Sequence, residues 1–384
     1  MKKVMVFSDW FAPGFRAGGP IQSLVNLTVH VKEVNFFVVT SDTDHHSTEP
    51  YADVAPHVWI RFKPHVQVMY LTSEKANKSM FEQLLREIQP DGVYLNSLFS
   101  PRFTLAPMAA LRALRWEKPL IVAPRGMLKP SALAEKAWKK RVFLALARGM
   151  KWYKNVRWHA TNAEERQEIL EHFGRQCEVH VADNLPAPPA VYTPPSTKQA
   201  PGLRLICVAR ISPEKGIEEA LRFLGFRDWM GLLRLDFVGA QQNQSFLSKC
   251  QSLAAEIKGA QIQFLGERSP HELEGMWSDY DFMYLPTRGE NFGHAIAESL
   301  NHGIPVIISN RTPWRHLSER RVGWDLALEA SSFEAVLNAC FEMPLEMHQH
   351  LSNSAWEWAK SLHADNARLE ASKSLFATPE VPRV

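Results

Sequence analysis

At 384 residues the chain is too long for one compact core at roughly 100 to 200 residues per domain, so two or three domains are expected. Apolar residues at 45% and charged residues at 22% exclude global disorder, collagen-like repetition and a disulfide scaffold. Lys plus Arg number 44 against 41 Asp plus Glu, and a formal net charge of +3 gives no reason to expect nucleic acid as a partner.

The N-terminal apolar run, Val4 to Phe7, is too short for a signal-peptide core, and no apolar stretch approaches the ~18 to 20 residues that cross a bilayer. Cys177, Cys207, Cys250 and Cys340 form no Cys-x-x-Cys pair. Reduced thiols in a cytoplasmic protein are the plain expectation. Short runs rich in β-branched and aromatic residues at 4–7, 36–40, 66–71, 92–95 and 119–123 alternate with helix-period segments, which predicts βαβ units and a parallel sheet.

Between the first strand and a helix starting near Pro20 lies Trp10-Phe-Ala-Pro-Gly14-Phe-Arg-Ala-Gly18-Gly19. It is neither Gly-x-Gly-x-x-Gly nor a P-loop, which disfavours dinucleotide oxidoreductases and P-loop NTPases. Adjacent Gly18 and Gly19 would let backbone amides approach a phosphate, and a plain βα turn stands beside that reading. Asp42 to Glu49, with His45 and His46, reads as a solvated loop rather than a metal site, because its spacing is not that of zinc ligands. Arg125, in Pro124-Arg-Gly-Met-Leu128, follows the fifth run at a sheet's carboxyl edge and would either face a bound ligand or form a structural salt bridge.

From Lys136 to Lys154 there are seven basic residues and no acidic one, with Trp138, Val142, Phe143, Leu146, Met150 and Tyr153 at helical spacing. This predicts a helix whose apolar face packs on the sheet and whose basic face can lean on an anionic membrane. Six prolines between Asn184 and Gly202 forbid continued helix or central strand and mark an interdomain linker. Runs at 204–209, 233–238, 261–265, 281–285 and 305–308, with helical patterns at 213–224, 245–258, 270–279 and 293–302, repeat the βαβ theme. The fold class is therefore α/β, with two Rossmann-like doubly wound domains facing each other across a cleft. The expected boundaries are 1–183 for an N-terminal Rossmann-like domain, 184–202 for the proline-rich linker and 203–345 for a C-terminal Rossmann-like domain. Residues 346–384 form C-terminal helices that pack back on the first domain, and Pro379 and Pro382 mark a loose end.

In the second half, Arg210 ends a strand and Ser212-Pro-Glu-Lys215-Gly216 opens a helix, with Ser212 as N-cap. A lysine in a first turn opposes the helix dipole unless an anion compensates it, so this basic pair suits a diphosphate; ordinary surface charges are the bland alternative. Further on, Leu285-Pro-Thr-Arg-Gly-Glu290-Asn291-Phe292-Gly293 is a polar strand-to-helix turn, followed by Glu298 inside the helix and by Gly303-Ile-Pro-Val-Ile. Backbone N–H groups and a helix N-terminus make an anion site there, and the two carboxylates can accept sugar or ribose hydroxyls.

Glu-x7-Glu with Phe-Gly after the first Glu, then Gly-x-Pro-Val-Ile, resembles the signature of the retaining glycosyltransferases of family four, which have the two-Rossmann-domain GT-B fold. The resemblance implies that Glu290 and the amides of Asn291, Phe292 and Gly293 contact the donor sugar and phosphates, and that Glu298 binds the ribose. It implies that Arg210 and Lys215 grip the diphosphate, that Arg268 borders the base, and that the loop with Gly18 and Gly19 closes over the substrates. The commoner Glu-Gly-Phe-Gly is Glu290-Asn291-Phe292-Gly293 here, and Asn tolerates the left-handed backbone that Gly would supply. The expected enzyme moves a hexose from a UDP- or GDP-linked sugar to a hydroxyl of a glycan acceptor, lipid-linked or free, in cell-surface polysaccharide or lipopolysaccharide synthesis. Glu290, Arg210, Lys215 and Arg125 would be its catalytic residues. It would need no metal or cofactor, and it would sit on the cytoplasmic face of the membrane. The alternatives are a two-Rossmann nucleotide-sugar epimerase or hydrolase, and an inert nucleotide-sugar-binding module.

Overall fold

The computed structural model describes residues 1–134, 137–195 and 197–377. Lys136, Pro379 and Pro382 lie outside the described residues. The chain divides into two compact units, one running from Met1 to Leu185 and resumed at Asn366, the other Pro186–Asp365.

In the first unit the strands are β1 (Lys2–Phe7), β2 (Val34–Ser41), β3 (Trp59–Lys63), β4 (Val66–Leu71), β5 (Gly92–Leu95), β6 (Leu120–Val122), β7 (Arg157–Ala160) and β8 (Glu178–Val181). They form one sheet in the order β3-β4-β2-β1-β5-β6-β7-β8, parallel except for β3 against β4. Helices α1 (Gly19–His30), α2 (Lys78–Ile88), α3 (Ala106–Ala113), α4 (Pro130–Ala134), α5 (Ala137–Gly149) and α6 (Ala163–Phe173) connect them. Side chains alternate across a strand, and β1 shows the consequence: Val4 and Val6 join one core cluster, Met5 and Phe7 the other. A sheet buried on both faces accounts for the near-continuous apolar runs of β1, β2 and β5.

The second unit holds β9 (Leu203–Val208), β10 (Leu233–Val238), β11 (Ala260–Gly266), β12 (Phe282–Leu285), β13 (Val306–Ser309) and β14 (Gly323–Leu326), in the order β11-β10-β9-β12-β13-β14. Its helices are α7 (Ile217–Arg222), α8 (Gln244–Ala255), α9 (Pro270–Met276), α10 (His294–Asn301), α11 (Ala330–Phe341) and α12 (Leu345–His363). The strand order reverses between β9 and β12, which pair directly through Leu205 with Phe282 and Ile206 with Met283. Ligands of doubly wound sheets bind at such a reversal, beyond the carboxyl ends of the strands.

Three features differ from the expectation. Residues 186–202 belong to the second unit rather than standing between two domains. Tyr192 stacks on Trp356 at 5.3 Å, and Trp356 Nε1 donates to the Ala190 carbonyl at 2.8 Å, so this proline-rich stretch is packed on α12. Helix α12 likewise stays in the second unit, where the buried His348 ring lies 2.7 Å from the Asp281 carbonyl. Only the chain from Asn366 onward, including α13 (Asn366–Ser374), returns to the first unit.

Finally, α5 does not bury the apolar set assigned to it. Leu144 and Ala147 are buried, as is Tyr153 beyond the helix, but Trp138, Val142, Leu146 and Met150 are exposed.

The returning C-terminal segment closes the first core. Phe376 meets Phe36 edge-on at 5.3 Å, and Arg157 Nη1 donates to the carbonyls of Leu375 and Ala377 at 3.0 Å each. Truncating a buried phenylalanine costs about 3 kcal/mol or more through lost transfer energy and the residual cavity. Phe376→Ala is therefore expected to lower the melting temperature of the first unit by several degrees; an unchanged melting curve would contradict the packing.

Candidate active site

Two loops meet at the β9/β12 reversal. The first leaves β9 at Val208 and is pinned at its start, because the Ala209 N–H donates to the Val238 carbonyl at 3.0 Å and the Ile211 N–H to that of Ala240 at 2.9 Å. A side chain at Gly239, whose φ is 151°, would put its Cβ 2.1 Å from the Ala209 carbonyl oxygen. Ser212 has the extended backbone of an N-cap, but its hydroxyl makes no cap bond and is buried without a partner. Pro213–Lys215 then form one 3-10 turn rather than the opening of a continuous helix. Gly216, with φ 68° and ψ 30°, breaks the 213–224 pattern and restarts the chain as α7. Only glycine fits: a Cβ there would stand 1.8 Å from the Pro286 carbonyl oxygen.

That close approach aligns the second loop, residues 286–293. The Glu214 carbonyl accepts from the Arg288 N–H at 2.9 Å and from the Thr287 hydroxyl at 3.1 Å, and Ser309 Oγ holds the Thr287 carbonyl at 2.5 Å. Lys215 Nζ and Glu290 Oε1 consequently meet at 2.6 Å, with side-chain exposures of 16% and 13%. Sequence reasoning gave these two groups separate roles, and the structure makes them an ion pair. In water-poor surroundings neither charge is readily given up without replacement.

Gly293 follows with φ 82°, and α10 starts after it without a side-chain cap. The left-handed position thus falls at Gly293 and not at Asn291, so nothing is demanded of Asn291 that glycine would do better. The Phe292 carbonyl accepts from Trp314 Nε1 at 2.5 Å, and its ring lies 5.6 Å from that indole, which fixes the turn from behind. Arg210 is half exposed and only 4.0 Å from Glu214, so its guanidinium is loosely held. Arg268 donates to the neighbouring Glu267 carbonyl at 3.0 Å, with no bond to the two loops.

Glu298 lies one turn into α10, and burial pushes its carboxyl up to about 7. The sequence reading makes it a carboxylate that accepts hydroxyls, and burial shifts it toward its protonated form.

The first unit gathers its own candidates at its sheet edge. Gly18 has φ 65° and open space around it, Gly19 is the first residue of α1, and Asn96 Nδ2 reaches the Pro20 carbonyl at 3.4 Å. Arg125 donates from Nε to Asn96 Oδ1 at 2.8 Å, from Nη1 to Asn184 Oδ1 at 2.9 Å and from Nη2 to the Tyr94 hydroxyl at 2.8 Å. The Tyr94 hydroxyl is also 2.7 Å from His159 Nδ1, and burial, with Arg125 adding to it, holds that imidazole down at about 3. Arg125 is thus tethered to neutral oxygens, not to the carboxylate of a structural salt bridge. Sequence reasoning missed Asn96, Asn184, Tyr94 and His159. Each follows or sits in a short strand, and that position at a carboxyl edge was the available signal.

The Asp42–Glu49 loop is used locally, with Asp44 Oδ2 accepting from the N–H groups of Phe15 and Arg16 at 2.9 and 3.2 Å.

The raised Glu298 carboxyl makes a stability prediction with a definite sign. Its folded value lies above the unfolded value near 4.5, so the native state binds more protons between about pH 4.5 and 7 and stability falls as pH rises through that window. Glu298→Gln cannot ionise. It should gain on the wild type by about 1–3 kcal/mol between pH 5 and pH 8, read as a widening gap in melting temperature; parallel curves would contradict the desolvation.

Residues 194–355 match the family described as glycosyl transferases group 1. No curated protein matches the chain. Among solved structures, the chain is similar to sucrose-phosphate synthase from Thermosynechococcus elongatus, with 14% identity, 98% of each chain covered and a TM-score of 0.71. It is similar to Anabaena HepE in complex with UDP and glucose, with 16% identity, 97% of this chain and 100% of that one, and a TM-score of 0.67. It is also similar to a UDP-forming α,α-trehalose-phosphate synthase from Burkholderia xenovorans in complex with glucose-6-phosphate, with 10% identity, 98% and 100% coverage and a TM-score of 0.67. Such low identities carry the fold alone, while the family match falls on the unit that holds both loops. Residues 194–355 are thus similar to the glycosyl transferases group 1, on a chain with the fold of GT-B glycosyltransferases.

Proposed function

We propose that the protein is a retaining glycosyltransferase that moves a hexose from a UDP-linked donor, or a GDP-linked one, to a hydroxyl of a growing glycan. The observation that carries this reading is the Lys215–Glu290 pair beside the uncapped start of α10. Sugar transfer breaks the bond between the anomeric carbon and the diphosphate, which leaves with the electron pair, and joins that carbon to the acceptor oxygen, whose proton is released. Charge therefore grows on the diphosphate as the sugar becomes oxocarbenium-like, and fixed cations and N–H groups aimed at it lower the barrier. Arg210, Lys215 and the amides around Gly293 supply that charge without a metal. A diphosphate offers Lys215 the anion it now finds in Glu290, which frees the glutamate for sugar hydroxyls.

Glu298 is assigned to the ribose and Arg268 to the edge of the base. HepE, solved with UDP and glucose, and the UDP-forming synthase favour uridine as that base. The glycine loop at Gly18 and Gly19 and the tethered Arg125 serve the acceptor side, Arg125 as a positioning residue. The acceptor belongs to cell-surface polysaccharide or lipopolysaccharide synthesis, lipid-linked and met on the cytoplasmic side of an anionic membrane. Among the described residues no helix is long and apolar enough to cross a membrane, so such a meeting would be peripheral.

Two mutant pairs test the assignment. Glu298→Ala should mainly raise the donor KM, since the ribose does not change during the reaction, whereas Glu290→Ala should mainly lower kcat. Arg210→Ala and Lys215→Ala should each lower kcat by about 100-fold or more if they stabilise the departing diphosphate. Reversed glutamate effects, or wild-type rates in both cation variants, would contradict the reading.

A further inference from the structure

The membrane placement just proposed names no element of contact, and the structure of α5 points to one. Trp138, Val142, Leu146 and Met150 are 68%, 50%, 51% and 62% exposed, and they are four of the twelve large apolar residues exposed among the described residues. They recur every four residues, so each is turned about 40° from the last, and they form one stripe about 18 Å long. Ala145 and Gly149 fill the same face. Leu144 and Ala147, at nearly the opposite azimuth, are buried, and Phe143 packs on Phe99 at 5.3 Å. The helix is therefore docked by one narrow face while a wider apolar face looks outward.

Cations accompany that outward face. Lys139 lies within it, near its N-terminal end, with its Nζ 5.6 Å from the Trp138 ring centroid, and Arg141 and Arg148 are exposed along one flank. Lys151 and Lys154 follow in the turn after the helix, also exposed. Lys140 is the exception, since its Nζ donates to the Ala132 carbonyl at 2.6 Å. No acidic residue occurs from Ala137 to Lys154. An apolar stripe flanked by cations, with no compensating anion, suits a surface that is anionic outside and apolar a few ångströms deeper.

We propose that α5 inserts Trp138, Val142, Leu146 and Met150 into the boundary between headgroups and acyl chains of an anionic bilayer, with Lys139, Arg141 and Arg148 on the lipid phosphates. The inference rests on the proposed membrane placement but not on sugar transfer. It differs from contact by charge alone in one respect: burial of the stripe is not screened by salt, so part of the binding persists when the charge attraction is removed.

Co-sedimentation of the full chain with phosphatidylcholine vesicles and with equimolar phosphatidylglycerol–phosphatidylcholine vesicles, at 0.1 and 0.5 M NaCl, tests it. The wild type should prefer the anionic vesicles and retain measurable binding at 0.5 M salt. Val142→Glu with Leu146→Glu should weaken binding by about tenfold or more at both salt concentrations, with an unchanged melting temperature. Arg141→Gln with Arg148→Gln should lose mainly the preference for anionic vesicles. The proposal is overturned if the Val142/Leu146 variant sediments as the wild type does, if the wild type binds neither vesicle or both equally, or if gel filtration shows that the stripe joins two copies of the chain. Nucleotide binding measured by calorimetry on the same variants should not change. Its absence in a wild type that sediments with vesicles would count against the proposed function and leave the insertion standing.

Discussion

The candidate site depends on one contact between main chains. Gly216 turns left-handed against the Pro286 carbonyl, and the space there admits no Cβ. Lys215 is the residue before that contact and Glu290 lies four residues beyond it, so the approach of two backbones decides where two opposite charges meet. The strand order makes the approach available: β9 and β12 are neighbours at the reversal of the sheet, and the loops that follow them leave side by side. Gly239, which meets the Ala209 carbonyl from β10, repeats the device one strand away.

An ion pair held this way is what the proposed diphosphate donor has to replace. Lys215 and Glu290 already satisfy each other with little water around them, and a ligand that brings its own negative charge to the lysine and hydroxyls to the glutamate can replace both interactions at once. A neutral sugar alone would have to compete with the pair. The raised Glu298 carboxyl, one turn into α10, shows how little water that side of the helix meets. In the first unit the polarity is reversed. Arg125 is spread over three neutral oxygens and backed by an imidazole that burial keeps uncharged, so its loop is fixed while its charge is left without a carboxylate.

Much of this was legible in the sequence. The ten strong apolar runs all became strands, because a sheet covered on both faces demands continuous apolar residues. Strands β3, β7, β8 and β14 were not read, and their residues explain why. Arg157 and His159 in β7, and Glu178 and His180 in β8, break the apolar pattern, yet Arg157 is satisfied by Glu178 at 2.7 Å and by two carbonyls of the returning C-terminal segment. Such partners are tertiary facts. The residues Lys215, Glu290, Gly293 and Glu298 were singled out through a family resemblance, but that Gly216 interrupts a helix, and that Lys215 and Glu290 touch, follows from a neighbour seventy residues away. Helix α5 shows the converse limit: periodicity located an amphipathic helix but not which side docks, since both a buried and an exposed apolar face were encoded in it.

The most direct test of the central claim is calorimetric titration of UDP and GDP, in EDTA, into the wild type and into Gly216→Ala, with folding of both checked by thermal melting. One nucleotide should bind the wild type, and the added methyl group, by separating the loops, should weaken it by at least about tenfold. Failure of both nucleotides to bind, or equal affinity in the two proteins, would contradict the assignment of these loops as the donor diphosphate site.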